Sequence, residues 1–162
     1  MNAFSDRLAA YRGARYAFLH HGQWFTFSLD GAAPGPGLAV PDITLITAWN
    51  PGSQERSWAW NQTAQAGLLR ALTAARIAWV PAWGGSLPGV EPAWRDEGFG
   101  LLGVGREAAF SWGRSWGQDA LVCLGPGRCE FLLCQENRSV ACFPRPLGFL
   151  PLFPSNGPES GR

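Results

Sequence analysis

Five side chains stand where polar chemistry can be done in this sequence: Trp49, Asn50, Asn61, Glu97 and Gln118. Asn50 closes the run "ITLITAWNP", and a residue before proline is pushed out of the right-handed helical region. It is therefore expected extended or in an Asx-type turn. Asn61 lies in "SWAWNQTAQAGLLRAL", with Leu68, Leu72 and Ala75 following seven, eleven and fourteen residues later. On a 3.6-residue helix all three project within about 40° of Asn61, which puts an amide in the apolar stripe. A buried amide without partners costs about 1–3 kcal/mol, so Asn61 must be hydrogen-bonded. Two amides at a strand-to-helix junction suit two jobs. They can hold a ligand in the crevice beyond the strand ends, or tie down backbone groups where the chain turns.

Glu97 sits at the entrance of a strand beside Asp96. Neighbouring strand residues face opposite sides, so the two are not a paired acid/base site. Turned inward, Glu97 would be a general base with a raised pKa, which makes it the one weak catalytic candidate, or a hydrogen-bond acceptor. Gln118 follows Gly117, where an amide can serve a helix end or a ligand. Trp49 heads a set with Trp58, Trp60, Trp79, Trp83 and Trp94 flanking the same junction. Such rings form a stacking wall or simply fill core.

Other chemistries lack their residues. His20 and His21 are adjacent, face apart in a strand and have no ligand-spaced partner, so no metal site is expected. Cys123, Cys129, Cys134 and Cys142 form no C-x2-C pair and read as reduced, partly buried small hydrophobes in a cytoplasmic protein. No G-x-S-x-G elbow occurs. In "PGPG", Pro34 and Pro36 remove the backbone donors that a phosphate cradle needs. "GLLGVG" lacks the spacing of a dinucleotide loop. All 13 cationic residues are Arg, so no lysine Schiff base or P-loop lysine is available.

The formal charge of +1 supplies no basic excess, which disfavours nucleic acid as a partner. With 46% apolar residues and nine Trp, 162 residues suit one domain with a real core. The amino-terminal segment lacks the features of a signal peptide, and no run approaches a membrane span.

Several elements must position these residues. "NAFSDRLAAYRGA" predicts a short helix ended by Gly13, and "RYAFLHHGQWFTFSL" a hairpin turning at His21-Gly22. "ITLITAW" reads as a strand covered on both faces. Ser53 to Ile77 reads as the main helix, capped by Ser53 with Glu55 at its positive end. "AWVPAW" and "EGFGLLGV" are strand candidates. "REAAFSWGRSW" is a second helix with Gly117 at its C′ position. "DALVCL", "GPGR" and "CEFLLCQE" form a hairpin with a four-residue loop, and "SVACFP" adds an edge strand.

The expected fold is therefore α/β or α+β. It is a single-domain mixed β-sheet flanked by two main helices and a short amino-terminal helix, spanning residues 1–143. Residues 144–162 form a Pro-rich arm, with Phe149, Leu150, Leu152 and Phe153 interleaved among five prolines.

The order "LITAWNP", Asn61, "WRDEGFGLLGV", "SWGQDALVCL" resembles a bacterial family of unknown function, number 3293, over roughly Ala17 to Leu124. Its members show a strand ending in T-A-W/Y-N-P, an asparagine on the next helix, a Trp-x-x-Glu segment and a Phe-Gly-Gln helix end; here Trp116 replaces that Phe. The resemblance implies a fold and four polar positions, Asn50, Asn61, Glu97 and Gln118, and brings no activity. The function expected from these residues is a small-molecule pocket around Asn50 and Asn61, with cofactor and reaction left open. An interaction module using the aromatic surface and the tail is the alternative, and single-stranded nucleic-acid binding by Arg and Trp stacking a second.

Overall fold

The computed structural model of the chain describes residues 3–31, 40–126 and 128–151. The "PGPG" loop and the end of the tail, with Leu152 and Phe153, lie outside the described residues.

Helix α1 (Ala3–Arg12) stops where the Gly13 N–H returns to the Ala9 carbonyl at 2.9 Å. Strands β1 (Ala14–His20) and β2 (Gln23–Ser28) form the expected hairpin. His21 and Gly22 turn it with φ of 49° and 76°, the left-handed pair that a two-residue hairpin turn demands. Strand β3 (Ile43–Ile46) is buried along its whole length.

The main helix starts later than the sequence suggests: α2 runs Trp58–Ala74 with Ser57, not Ser53, at its amino end, and the Ser57 hydroxyl accepts from the Trp60 N–H. The reason is local. Gly52 and Ser53 both have positive φ (63° and 58°) and close a single 3-10 turn over Pro51–Ser53. Glu55 consequently lies ahead of the helix, not in its first turn. Strands β4 (Trp79–Ser86) and β5 (Arg95–Leu102) pair with each other. Helix α3 (Arg106–Ser115) ends as expected, with Gly117 left-handed at φ 68° and the Gln118 N–H bonded to the Gly113 carbonyl at 2.9 Å. Strands β6 (Ala120–Gly125), β7 (Arg128–Leu133), β8 (Arg138–Ala141) and β9 (Arg145–Pro151) complete the chain. The β6–β7 loop is tighter than expected, since Gly125 and Arg128 already pair across it.

These strands form one sheet in the order β8-β7-β6-β3-β5-β4-β1-β2-β9. The α/β class holds, but the sheet is not mixed: every neighbouring pair of strands is antiparallel. The connections explain this. Helix α2 carries the chain from β3 past an empty lane to β4, and β5 returns antiparallel into that lane. Helix α3 carries it from β5 around β3 to β6. The parallel partners β3 and β4, and β5 and β6, are thus each split by an antiparallel strand. The order β6-β3-β5-β4 is the split β-α-β arrangement of ferredoxin-like folds.

Hairpin strands extend this core on both sides, and the sheet curls into a half-barrel. Only Cys142 to Pro144 separate β8 on one edge from β9 on the other. Four residue steps span at most about 14 Å, so the two edges must approach. They are fastened there by a bridge between Asp30 and Phe143, the Gly31 N–H on the Phe143 carbonyl at 2.9 Å, and Arg145 on Asp30 at 2.8 and 3.0 Å.

Strand alternation sorts the apolar side chains into two cores. Leu68 and Leu72 of α2 and Ala109 and Phe110 of α3 pack on Ile46, Phe99, Leu101, Leu121 and Leu132 on the outer face. Phe18, Phe25, Phe27, Leu45, Ala82, Val122 and Phe131 face inward, where α1 contributes Leu8 and Tyr11. Cys123, Cys129, Cys134 and Cys142 are free and buried.

Candidate functional site

The inner face is not filled to its end. Beyond the carboxyl end of β3 lies a cavity of about 1040 Å³, floored by Tyr16, Leu45, Ala82, Gly84, Gly98, Val122 and Phe131. Its rim carries Tyr11, Trp49, Asn50, Trp94, Asp96, Gln118 and Asp119. Glycine keeps the floor open and lets strands approach: a Cβ at Gly98 would run into the Ile46 carbonyl, and one at Gly84 would meet the Tyr16 ring at 3.4 Å.

Asn50 and Asn61 meet, and they brace one another. Asn61 is 3% exposed, and its Oδ1 accepts from the Asn50 backbone N–H at 3.0 Å. Its Nδ2 donates to Asn50 Oδ1 at 3.1 Å and to the Arg56 carbonyl at 3.4 Å. Asn50 Oδ1 also accepts from the Arg56 N–H at 2.9 Å, which ties down the segment leading into α2. The expectation of an extended Asn50 is overturned: it is left-handed, φ 47° and ψ 55°. Asparagine tolerates that region, and the proline after it disfavours only the right-handed alternative strongly. With both amides engaged by protein, the pair fixes the rim's shape.

Asn50 spends its remaining donor on Asp96, Nδ2 to Oδ1 at 2.9 Å. Burial raises the Asp96 carboxyl above its ordinary range, and the Asn50 hydrogen bond opposes that rise. Asp96 Oδ2 has no partner among the described residues. Glu97, the sequence's weak catalytic candidate, does not line the cavity. One residue along β5 it faces the other way, ion-paired with Arg95 at 2.7 Å, and the Arg95 guanidinium lies 4.5 Å over the Trp83 ring. Asp96 is the carboxylate that strand alternation turns inward.

Gln118 reaches the rim from the turn after α3, its Nε2 donating to the Trp49 carbonyl at 3.4 Å and the Trp116 carbonyl at 3.3 Å. Beside it, Asp119 Oδ2 accepts from the Ser53 hydroxyl at 2.9 Å. Tyr11 stands close by, its hydroxyl pushed up to about 12 by burial and the Asp119 carboxylate, with Arg7 opposing. Tyr16 donates to the Tyr11 carbonyl at 3.1 Å. Trp49 lines the cavity, and its buried Nε1–H has no hydrogen-bond partner among the described residues. Of the expected aromatic wall, Trp49, Trp58, Trp83 and Trp94 border the cavity. Trp60 sits outside under Arg56, and Trp79 packs edge-on against Phe99 on the outer face. Among the described residues no group of three or more His, Cys, Asp or Glu converges, and no helix is long and apolar enough to cross a membrane.

Sequence reasoning missed Asp96, Asp119, Tyr11, Tyr16 and Trp94 as site residues. A signal for Asp96 was present in "RDEGFGLL": Phe99 and Leu101 mark one face, so Asp96, Gly98 and Gly100 share the other, where the glycines leave room. Nothing local signals Tyr11 or Tyr16, which arrive from the far end of the sheet.

No curated protein and no solved structure matches the chain. A family model does match residues 46–121, which take in α2, β4, β5 and α3 with the last residue of β3 and the first two of β6, and with them Asn50, Asn61, Asp96 and Gln118. That stretch is similar to a family described as protein of unknown function, DUF3293.

Proposed function

We propose that the protein binds a small molecule in the inner-face cavity. The observation that carries this reading is a space of about 1040 Å³ at the top of the usual size range for ligand sites, left open in a sheet whose other face is closely packed. The polar groups around it support the reading. Among the described residues Trp49 Nε1 has no hydrogen-bond partner and Asp96 is bonded through Oδ1 alone, so a ligand supplying a donor and an acceptor would complete both. In this reading Trp49, Asp96 and Gln118 touch ligand, while Asn50 and Asn61 hold Asp96 and the helix entry in place. Glu97 plays no part. Buried thiols support a reducing compartment, the cytoplasm of a bacterium.

A thermal-shift panel of amines, amino acids, nucleosides and sugars tests it. A ligand at a hundred times its Kd should stabilise by about 2.7 kcal/mol, about 5–10 °C for a chain this size. Gly84→Leu, which fills the floor beside Tyr16, should abolish the shift in a folded protein. A shift that survives Gly84→Leu would place binding elsewhere and contradict the reading.

One observation favours a second reading as an interaction module: Trp58 is 71% and Trp60 43% exposed at the head of α2. Light scattering that finds a monomer with no co-purifying protein would count against it.

A further inference from the structure

Acids outnumber arginines on the cavity's lining, three (Glu55, Asp96 and Asp119) to two (Arg56 and Arg95), and this narrows what it can hold. Asp96 and Asp119 both line it, and neither has an ion-pair partner among the described residues. The two lining arginines and the nearby Arg7 each have partners of their own. Arg95 is ion-paired with Glu97 at 2.7 Å, its guanidinium 4.5 Å over the Trp83 ring. Arg56 stacks over Trp60 at 5.4 Å. Arg7, whose pKa is raised mainly by Glu136 and to a lesser degree by Asp119, bonds Glu136 at 2.7 Å. Glu55, also on the lining, is exposed and adds a third acid. The remaining titratable lining groups are the Tyr11 and Tyr16 hydroxyls, which burial keeps protonated and neutral. The amino end of α2, which would also favour an anion, is already capped by Ser57.

Around these acids the walls are aromatic: Tyr11, Tyr16, Trp49, Trp94 and Phe131. Ring faces attract cations most when water is excluded. Asp96 is also pre-aimed, because Asn61 fixes Asn50 and Asn50 fixes one carboxylate oxygen, leaving Oδ2 free. A bound cation would remove the cost of a partly buried, unpaired carboxylate. We propose that this cavity takes an organic cation: a small molecule carrying an ammonium or amidinium-like group on an apolar body, with the charge held between Asp96, Asp119 and the aromatic walls. This rests on the pocket reading above and adds the ligand's charge to it.

The test is isothermal titration of the full chain with four probes of matched shape. They are phenethylamine, phenethyltrimethylammonium, 2-phenylethanol and 3-phenylpropionate. Both cations should bind at least about 10-fold more tightly than the alcohol, and the carboxylate most weakly. Asp96→Asn and Asp119→Asn, each checked for native circular dichroism, should weaken the cations by about 10-fold and leave the alcohol unchanged. Should one variant fail to fold, the other still decides, because each removes one of the two charges. Binding of the alcohol or the carboxylate as tight as that of the cations overturns the inference. If that binding is still blocked by Gly84→Leu, the pocket reading survives without its charge preference. If no probe binds, the inference fails, and the pocket reading is then decided by the wider thermal-shift panel alone.

Discussion

On the outer face of the sheet, Leu68, Leu72, Phe110 and Leu132 are sealed between the strands and two helices. One residue along the same strands, Leu45, Ala82, Gly98 and Val122 border a cavity. The two faces share backbone, register and composition of strands, and they differ in what covers them. Helices α2 and α3 lie on the outer face as the crossover links of the split β-α-β core, so their packing is set by the topology itself. Among the described residues the inner face has only α1, a ten-residue helix, and the curl of the sheet. A half-barrel covered on one side by structural necessity and on the other by a single short helix leaves room only on the second. Ligand chemistry therefore belongs to the inner face, and stability to the outer.

The comparison can be broken most sharply by truncation. Leu68→Ala on the outer face should cost about 2–5 kcal/mol in chemical denaturation, as a fully buried leucine leaves a cavity that helices cannot collapse. Trp94→Ala at the cavity mouth, where the ring is 45% exposed, should cost less than about 1 kcal/mol. Equal costs would mean that the inner face is as tightly packed as the outer.

Asn61→Ala comes next. It strips the Asn50 N–H of its acceptor and Asn50 Oδ1 of a donor, for about 1–3 kcal/mol. A double-mutant cycle with Asn50→Ala should be clearly non-additive, since the two side chains act as one brace. Additive costs would separate them.

A smaller effect, of opposite sign, follows from Asp96. Its folded carboxyl binds a proton more tightly than the unfolded one, chiefly through burial. Stability therefore falls as pH rises from the unfolded value of 3.8 through the raised folded value. Asp96→Asn removes that penalty, so the variant should match the parent near pH 3 and be as stable or slightly more stable at pH 7. A loss at pH 7 alone would show the ionised carboxylate to be stabilising and hence paired.

The smallest effect sits at the barrel seam. Asp30, held down to about 2 by Arg145 and Ser28, stabilises the fold above its ordinary 3.8. That contribution disappears as pH falls from 3.8 through about 2. The pair is solvent-exposed, so only a slight fall in Tm is expected, and Arg145→Ala should erase it.

Much of this was legible in the chain. The His21-Gly22 turn, the Gly117 helix stop and the buried amide at Asn61 each follow from local periodicity and backbone preference, and each is present. The start of α2 was misplaced because Ser53 and Ser57 are both plausible caps. Only the contacts of Asn50, eleven residues from Asn61, show which one the chain uses. Strand direction was misread for a related reason. A β-branched, nearly apolar "ITLI" says that both faces are covered, and both are, but it carries no information on which way its neighbours run. The cavity was least legible, since it needs Tyr11 and Tyr16 brought against Phe131 and Asp119 by a closure that depends on the three-residue link between β8 and β9.

The tryptophans report on both faces at once, which makes their indole N–H signals the most direct readout. In a 1H–15N spectrum titrated with phenethylamine and, separately, with 2-phenylethanol, Trp49 and Trp94 at the cavity should shift. Trp79, Trp112 and Trp116, packed on the outer face, should stay still. Shifts confined to Trp60, or spread evenly over the outer-face indoles, would contradict an inner-face ligand site.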